Sequence, residues 1–223
     1  MNTGLVLRLE QLSRPPEVEG VSLTVAAGEQ VALVGSATVT GAVLRWAALL
    51  SRPQSGRIFF EDTDVTGLNG GALRQLRQRL QFMGSDPQHL LPVRWTVREA
   101  LGEPLKIHHI GTVREQDQRA AAAAAAMGLS SYLLTRRVNS LSPALCQRAA
   151  LARALTLQPR LLICAGPVDT LEPAVARPLL EKLAAACHFL PMPAAWLWST
   201  SQPELAAAFA DRVLVIENGQ IAG

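Results

Sequence analysis

Gln30-Val31-Ala32-Leu33-Val34-Gly35-Ser36-Ala37-Thr38-Val39-Thr40-Gly41-Ala42-Val43-Leu44 carries one apolar run through a glycine turn into another. A buried strand that hands the chain through glycines to a helix N-terminus is the layout of a phosphate-binding loop. Its chemistry needs G-x-x-x-x-G-K-[ST]. Glycines let backbone N–H groups close around phosphates, the lysine reaches the outer phosphates, and the hydroxyl holds magnesium. Gly35 stands at the first glycine position, followed by Ser36, and Thr40 stands at the second. Gly41 falls on the lysine position and Ala42 on the hydroxyl position. The frame of the site is kept while its cation and magnesium ligand are gone. Backbone N–H groups and a helix dipole remain, enough for weak ATP binding at most, and no magnesium is expected.

Other polar residues offer alternative chemistry. Asp169 and Glu172 follow an apolar strand pattern and could supply a displaced carboxylate, although a solvated turn or helix cap is the ordinary reading of such residues. Ser85-Asp86 lacks a histidine or lysine partner by motif. His108-His109 is a surface-loop pair, because adjacent residues on a helix do not face one way. Cys146, Cys164 and Cys187 have no metal-ligand spacing and read as buried thiols. Trp196 and Trp198 share one strand face and read as core.

These residues need elements to position them. Leu5–Glu10 reads as a first strand, broken by Ser13-Arg14-Pro15-Pro16, and Val21–Val25 as a second. Ala27-Gly28-Glu29 turns the chain into the buried strand Gln30–Val34, and Ala42–Leu50 is the apolar helix after the loop. Arg57–Phe60 is a strand and Leu73–Leu80 a short amphipathic helix. A strand ends at Phe82-Met83, and a helix starting at Val97 is expected to stop near Pro104. Arg114–Met127 is alanine-rich and helical, with Gly128 as its cap, and Ala144–Leu157 is a second alanine-rich helix. Arg160–Ala165 and Ala195–Thr200 are apolar strands, Pro173–Cys187 and Pro203–Ala210 are helices, and Asn218-Gly219 turns a final hairpin. Buried strands alternating with helices predict an α/β fold. We expect a mostly parallel sheet with helices on both faces, a small N-terminal antiparallel β portion and a helical insertion. The chain reads as one unit, a core of residues 1–86 and 143–223 with the insertion at about 87–142.

The 223 residues are 49% hydrophobic, enough for a sizeable core. A net charge of +3 without a basic block argues against a nucleic-acid partner. No apolar run reaches the roughly 18–20 residues of a membrane span. The first ten residues do not read as a secretion signal, so a reducing, cytoplasmic setting is expected.

The order of these elements resembles the ATP-binding cassette of ABC transporters over nearly the whole chain. Val21–Glu29 is similar to the strand and turn before that family's phosphate loop, and Ser55-Gly56-Arg57-Ile58 to the strand after it. Ser140-Leu141-Ser142 with Gln147–Leu155 resembles the signature helix, Pro159–Ile163 the approach to Walker B, and Ala210–Val215 with Asn218–Ile221 the end of the cassette. Asp86-Pro87, Thr96-Val97-Arg98-Glu99 and Glu103-Pro104-Leu105 are closest to the oligopeptide, dipeptide and nickel branch of importers.

The departures fall on the catalytic positions. Ser85 stands at the Q-loop glutamine, and Pro143, Ala144 and Leu145 stand at the signature glycines and glutamine, which leaves Leu141 and Ser142. Ala165 stands at the Walker B aspartate, Gly166 at the catalytic glutamate and Ser201 at the switch histidine. An adenine-stacking aromatic is missing between Leu12 and Val21. The resemblance therefore implies a subunit without hydrolysis at its own site. It would pair with a second, active cassette and with transmembrane permease subunits, held at the inner face of the membrane. A scaffolding protein that keeps only the fold, or a weak ATPase using displaced carboxylates, are the alternatives.

Overall fold

The computed structural model describes residues 4–86 and 90–222. Pro87, half of the Asp86-Pro87 pair, lies outside the described residues. In chain order the first half contains β1 (Leu5–Arg14), β2 (Val18–Ala26), β3 (Gln30–Gly35), α1 (Ala37–Ala47), β4 (Ser55–Phe60), β5 (Thr63–Asp64), α2 (Gly70–Arg79) and β6 (Leu80–Met83). Next come α3 (Val97–Ile107) and α4 (Val113–Ala126), followed by 3₁₀ turns at Ser131–Thr135 and Val138–Ser140. The chain ends with α5 (Pro143–Leu155), β7 (Leu161–Ala165), α6 (Pro173–His188), β8 (Ala195–Thr200), α7 (Pro203–Phe209), β9 (Arg212–Glu217) and β10 (Gln220–Ile221).

The strands form two sheets. One has four antiparallel strands ordered β2-β1-β4-β5, and the other has six ordered β10-β9-β3-β8-β7-β6. In the second, β9, β3, β8, β7 and β6 run parallel and only β10 is antiparallel to its neighbour. Successive side chains on a strand face opposite ways, and the apolar runs of the parallel strands feed two cores. Val31, Leu33, Leu161, Ile163 and Leu197 pack toward α1 and the antiparallel sheet. Ala32, Leu162, Cys164, Trp196 and Trp198 pack toward the helices that include α5 and α6. Trp196 and Trp198 are fully buried and stacked, their ring centroids 4.8 Å apart, as the two-residue period predicts.

Three local expectations are corrected. The first strand does not stop at Glu10, because bulges at Leu9/Leu12 and Leu12/Arg14 absorb the irregular stretch and let pairing run on to Arg14. Helix α1 begins at Ala37, not Ala42. Helix α3 runs through Pro104 to Ile107. A proline inside a helix costs about 3 kcal/mol or more. Running on past it buries Leu105 completely, worth about 1.5–3 kcal/mol, which offsets much of that cost.

The segment between β6 and α5 carries no strand among its described residues, only an isolated bridge between Thr96 and Arg137. Its helices are capped from the sequence. Thr96 accepts from the Glu99 N–H at 3.2 Å while Glu99 accepts from the Thr96 N–H at 2.7 Å. Thr112 and Glu115 repeat the arrangement at the start of α4. At the other end of α4, Gly128 adopts φ +70°, the Gly128 N–H donates to the Ala125 carbonyl and the Leu129 N–H to the Ala124 carbonyl, both at 2.9 Å. That is the pattern of a Schellman cap. Cys146, Cys164 and Cys187 are buried free thiols. Burial pushes Cys187 up to about 12 and Cys164 higher still, with the neighbouring Cys187 adding to the rise in Cys164. Among the described residues no helix is long and apolar enough to cross a membrane.

The capping hydrogen bonds hold the Glu99 and Glu115 carboxyls below their ordinary value, chiefly through the Thr96 and Thr112 N–H groups. A lowered carboxyl stabilises above its unfolded value and loses that contribution as pH falls through the folded value. Thr96→Ala and Thr112→Ala are each expected to cost about 1 kcal/mol at neutral pH. Urea unfolding at pH 7 and at about pH 3 checks this, with the difference from wild type shrinking at the lower pH only by the part that the Thr hydroxyl-to-carboxylate bonds carry.

Candidate functional site

The site starts where β3 ends. Gly35 pairs with Ile216 of β9, and a Cβ on Gly35 would lie 2.6 Å from the Ile216 carbonyl oxygen. Only glycine fits that approach. The chain then enters α1 almost at once, with Ser36 at the N-cap and no side-chain cap. The Thr40 N–H donates to the Ser36 carbonyl at 2.9 Å, and the Thr40 hydroxyl donates to the same oxygen at 3.1 Å. Ala37–Thr40 is therefore the first turn of a helix, not a loop that wraps around phosphate. The second glycine of the motif supplies conformations that a β-branched threonine disfavours. Without it the chain falls into helical geometry and commits the Thr40 N–H to the helix.

Around this turn lies a cavity of about 100 Å³. Ligand pockets usually span about 300–1,000 Å³, so this one has room for a few waters or a small anion. Gly35, Thr40, Gly41, Ser85, Ala165, Gly166 and Ser201 all line it, so the fold gathers most of the candidate positions in one place. Ser36 and Ala42 do not line it, and Ala42 is buried in the core beneath α1. Leu141 and Ser142 lie apart, at the start of α5. There Ser142 caps the helix by accepting from the Leu145 N–H at 3.4 Å, and Pro143 takes the first helical position.

Two charged residues reach the cavity, Asp169, a candidate carboxylate from the sequence, and Arg45, which the sequence does not single out. Arg45 follows Gly41 by one helical turn, and its Nη1 lies 3.2 Å from where a Cβ on Gly41 would stand. Helical side chains lean toward the N-terminus, so Arg45 covers the spot a side chain at 41 would leave from. Arg45 has no ion-pair or hydrogen-bond partner among the described residues. The signal that could have found it is its i+4 spacing from Gly41 on one helix face. Asp169 accepts from the Thr200 hydroxyl at 2.7 Å and from the Ser201 N–H at 3.2 Å. Beside it, Gly166 sits at φ +55° and donates its N–H to the Ser199 hydroxyl at 3.1 Å. The Gln147 side chain donates to the Pro167 carbonyl and so ties α5 to the segment after β7.

The remaining candidates separate from the cavity. Glu172 takes the N-cap position of α6 without a side-chain cap bond. His108 and His109 follow α3, with His108 lowered by burial and by the Arg74 and His109 charges. No group of three or more His, Cys, Asp or Glu among the described residues could hold a metal.

The family model described as ABC transporter matches residues 18–168, more than half of the chain. The chain belongs to the ABC transporter family. A putative peptide import ATP-binding protein of Brucella ovis is 32% identical over 209 residues, covering 92% of this chain and 64% of the relative. The nickel import ATP-binding protein NikE of Escherichia coli K12 is 31% identical over 214 residues, covering 92% of this chain and 76% of that relative. The chain thus spans a little under two thirds of the length of its Brucella relatives. Among solved structures, cbiO1 from Clostridium perfringens, described as part of the ABC transporter complex cbiONQ, superposes with a TM-score of 0.87 at 20% identity. The match covers 99% of this chain and 88% of that one. The ATP-binding cassette MJ0796, in a dimer bound to ADP and Pi, gives 0.83 at 20% identity, with 97% of each chain covered. These likenesses show the fold of an ABC cassette.

In this cassette Gly41 is a helix-interior residue whose Cβ would meet only the end of the Arg45 side chain. Gly41→Ala is therefore expected to stabilise the protein by up to about 1 kcal/mol through helix propensity. Gly35→Ala, which drives a Cβ into a backbone carbonyl, is expected to cost on the order of 2 kcal/mol. Paired denaturant midpoints check both signs at once.

Proposed function

We propose that this chain is a hydrolytically silent cassette of an importer resembling its peptide and nickel import relatives. It serves as the structural half of a pair whose other cassette is competent. The observation that carries this reading is the first turn of α1. The residues that would form the phosphate loop are helical, with the Thr40 N–H committed to Ser36, and the following position is Gly41 in place of a lysine. Phosphoryl transfer is positioning plus electrostatics. The positions for the magnesium hydroxyl, the Walker B carboxylate, the attacking-water carboxylate and the switch imidazole hold Ala42, Ala165, Gly166 and Ser201. Loss of one preorganised group commonly costs about 100- to 1,000-fold in rate, and here all are replaced together. The intact double core supports a retained structural role, in which the chain would dock on permease subunits at the inner membrane face and hold a competent cassette beside it.

A second reading, a weak ATPase with a displaced carboxylate, draws on Asp169 reaching the cavity. Against it, that carboxylate is already engaged by Thr200 and Ser201.

The purified chain is expected to give no saturable heat with Mg-ATP and no phosphate release above the buffer blank. Gly41→Lys combined with Ala42→Ser is expected to leave both results unchanged, because the loop stays helical. Micromolar binding or turnover by the wild-type chain would sink the silent reading. Co-purification with a competent cassette and permease subunits tests the structural role.

A further inference from the structure

We infer that Asp169 is a built-in occupant of the phosphoryl cavity. Its carboxylate takes the hydrogen-bond donors and the space that a bound oxyanion would use, so the site is closed from within as well as stripped. This rests on the silent-cassette reading and adds a cause to it.

The donors come first. The Thr200 hydroxyl and the Ser201 N–H end β8 at the cavity wall, and both point at Asp169, at 2.7 Å and 3.2 Å. The second Asp169 oxygen lies 3.3 Å from the same Ser201 N–H. A hydroxyl and a backbone N–H converging on an oxyanion are the kind of donors that hold phosphoryl oxygens.

Space gives the second argument. A Cβ on Gly166 would stand 2.9 Å from Asp169 Oδ2, 3.4 Å from its Cγ and 3.6 Å from its Cβ. The carboxylate is held by Thr200 and Ser201 and does not swing away as a free side-chain end would. Gly166 also sits at φ +55°, where a side chain is strained. The carboxylate of Asp169 and any side chain at position 166 therefore exclude one another. Restoring a glutamate at 166 cannot repair the site while Asp169 stays.

Charge is the third. In a cavity of about 100 Å³ a fixed carboxylate sits close to any anion that enters, and like charges so near repel strongly. Across the same cavity, Arg45 has no partner among the described residues and would attract an anion once Asp169 is gone.

The test uses the intact chain with inorganic phosphate as the probe, followed by calorimetry and phosphorus NMR. Wild type is expected to show no saturable binding. Asp169→Asn keeps an acceptor for Thr200 and Ser201 but drops the charge, and Asp169→Ala frees both donors. Each is expected to bind phosphate saturably, at least about tenfold more tightly than the detection limit at which wild type shows none, with Asp169→Ala the stronger and the gain lost on adding Arg45→Gln. Asp169→Asn carries the titration if Asp169→Ala does not fold. In thermal melts, Gly166→Ala is expected to lower the midpoint more in the wild-type background than in Asp169→Ala. If neither Asp169 variant takes up phosphate better than wild type, or if the Gly166→Ala penalty is equal in both backgrounds, the built-in occupant is overturned while the silent reading stands. Mg-ATP turnover by wild type would overturn both.

Discussion

Burial of β3 on both faces is the constraint on which the rest of the molecule depends. The strand has parallel partners on both sides, β8 and β9, so it carries no free edge. Val31 and Leu33 face one core and Ala32 the other, and all three are fully buried. A strand of this kind needs a layer on each side. The antiparallel sheet with α1 supplies one, and the helices around α5 and α6 supply the other. Because β3 runs directly into α1, that helix must lie between the two sheets, where Val43, Leu44, Trp46 and Ala47 disappear into the core.

That arrangement separates the demands on α1. Its inner face is fixed by packing, and its first turn is where phosphate chemistry would impose its own requirements. Val43, Leu44, Trp46 and Ala47 hold the helix in the core, with Ala42 in the same cluster. A fold can thus outlive its site, since fold and activity rest on largely different positions. Effects within a catalytic unit are not additive, because once one essential group is gone the others have little left to support.

How much could be read from the sequence depends on what decides each feature. β8 matched its apolar run residue for residue, because a short strand buried on both faces leaves an uninterrupted pattern. Gly128 was legible as a helix cap, and Asn218-Gly219 as a hairpin turn, because positive φ has a local signature. α1 starts five residues earlier than the sequence pattern implies. The motif template imposes a loop on residues 37 to 40, whereas with Thr40 in place of the second glycine they form the first turn of the helix. Pro104 misled in the opposite direction, since the buried face of α3 overrides a local breaker. Arg45 carries no motif, and the sequence offers Asp169 only as a displaced carboxylate. What they do follows from which strand ends and helix turns meet at the cavity, and that is a property of the assembled sheet.

The stacked indoles of Trp196 and Trp198 have an optical consequence. Two aromatic chromophores 4.8 Å apart and only 13° from parallel are electronically coupled, and the coupling exists only while β8 holds both side chains on one face of its sheet. Trp46 lies alone in the other core, and Trp95 is 41% exposed at the surface. The four tryptophans of the chain therefore sample distinct surroundings. An exciton band in circular dichroism would report the parallel sheet, and the emission of Trp46 and Trp95 would report the opposite layer and the surface. One unlabelled sample would then resolve the order in which the layers come apart.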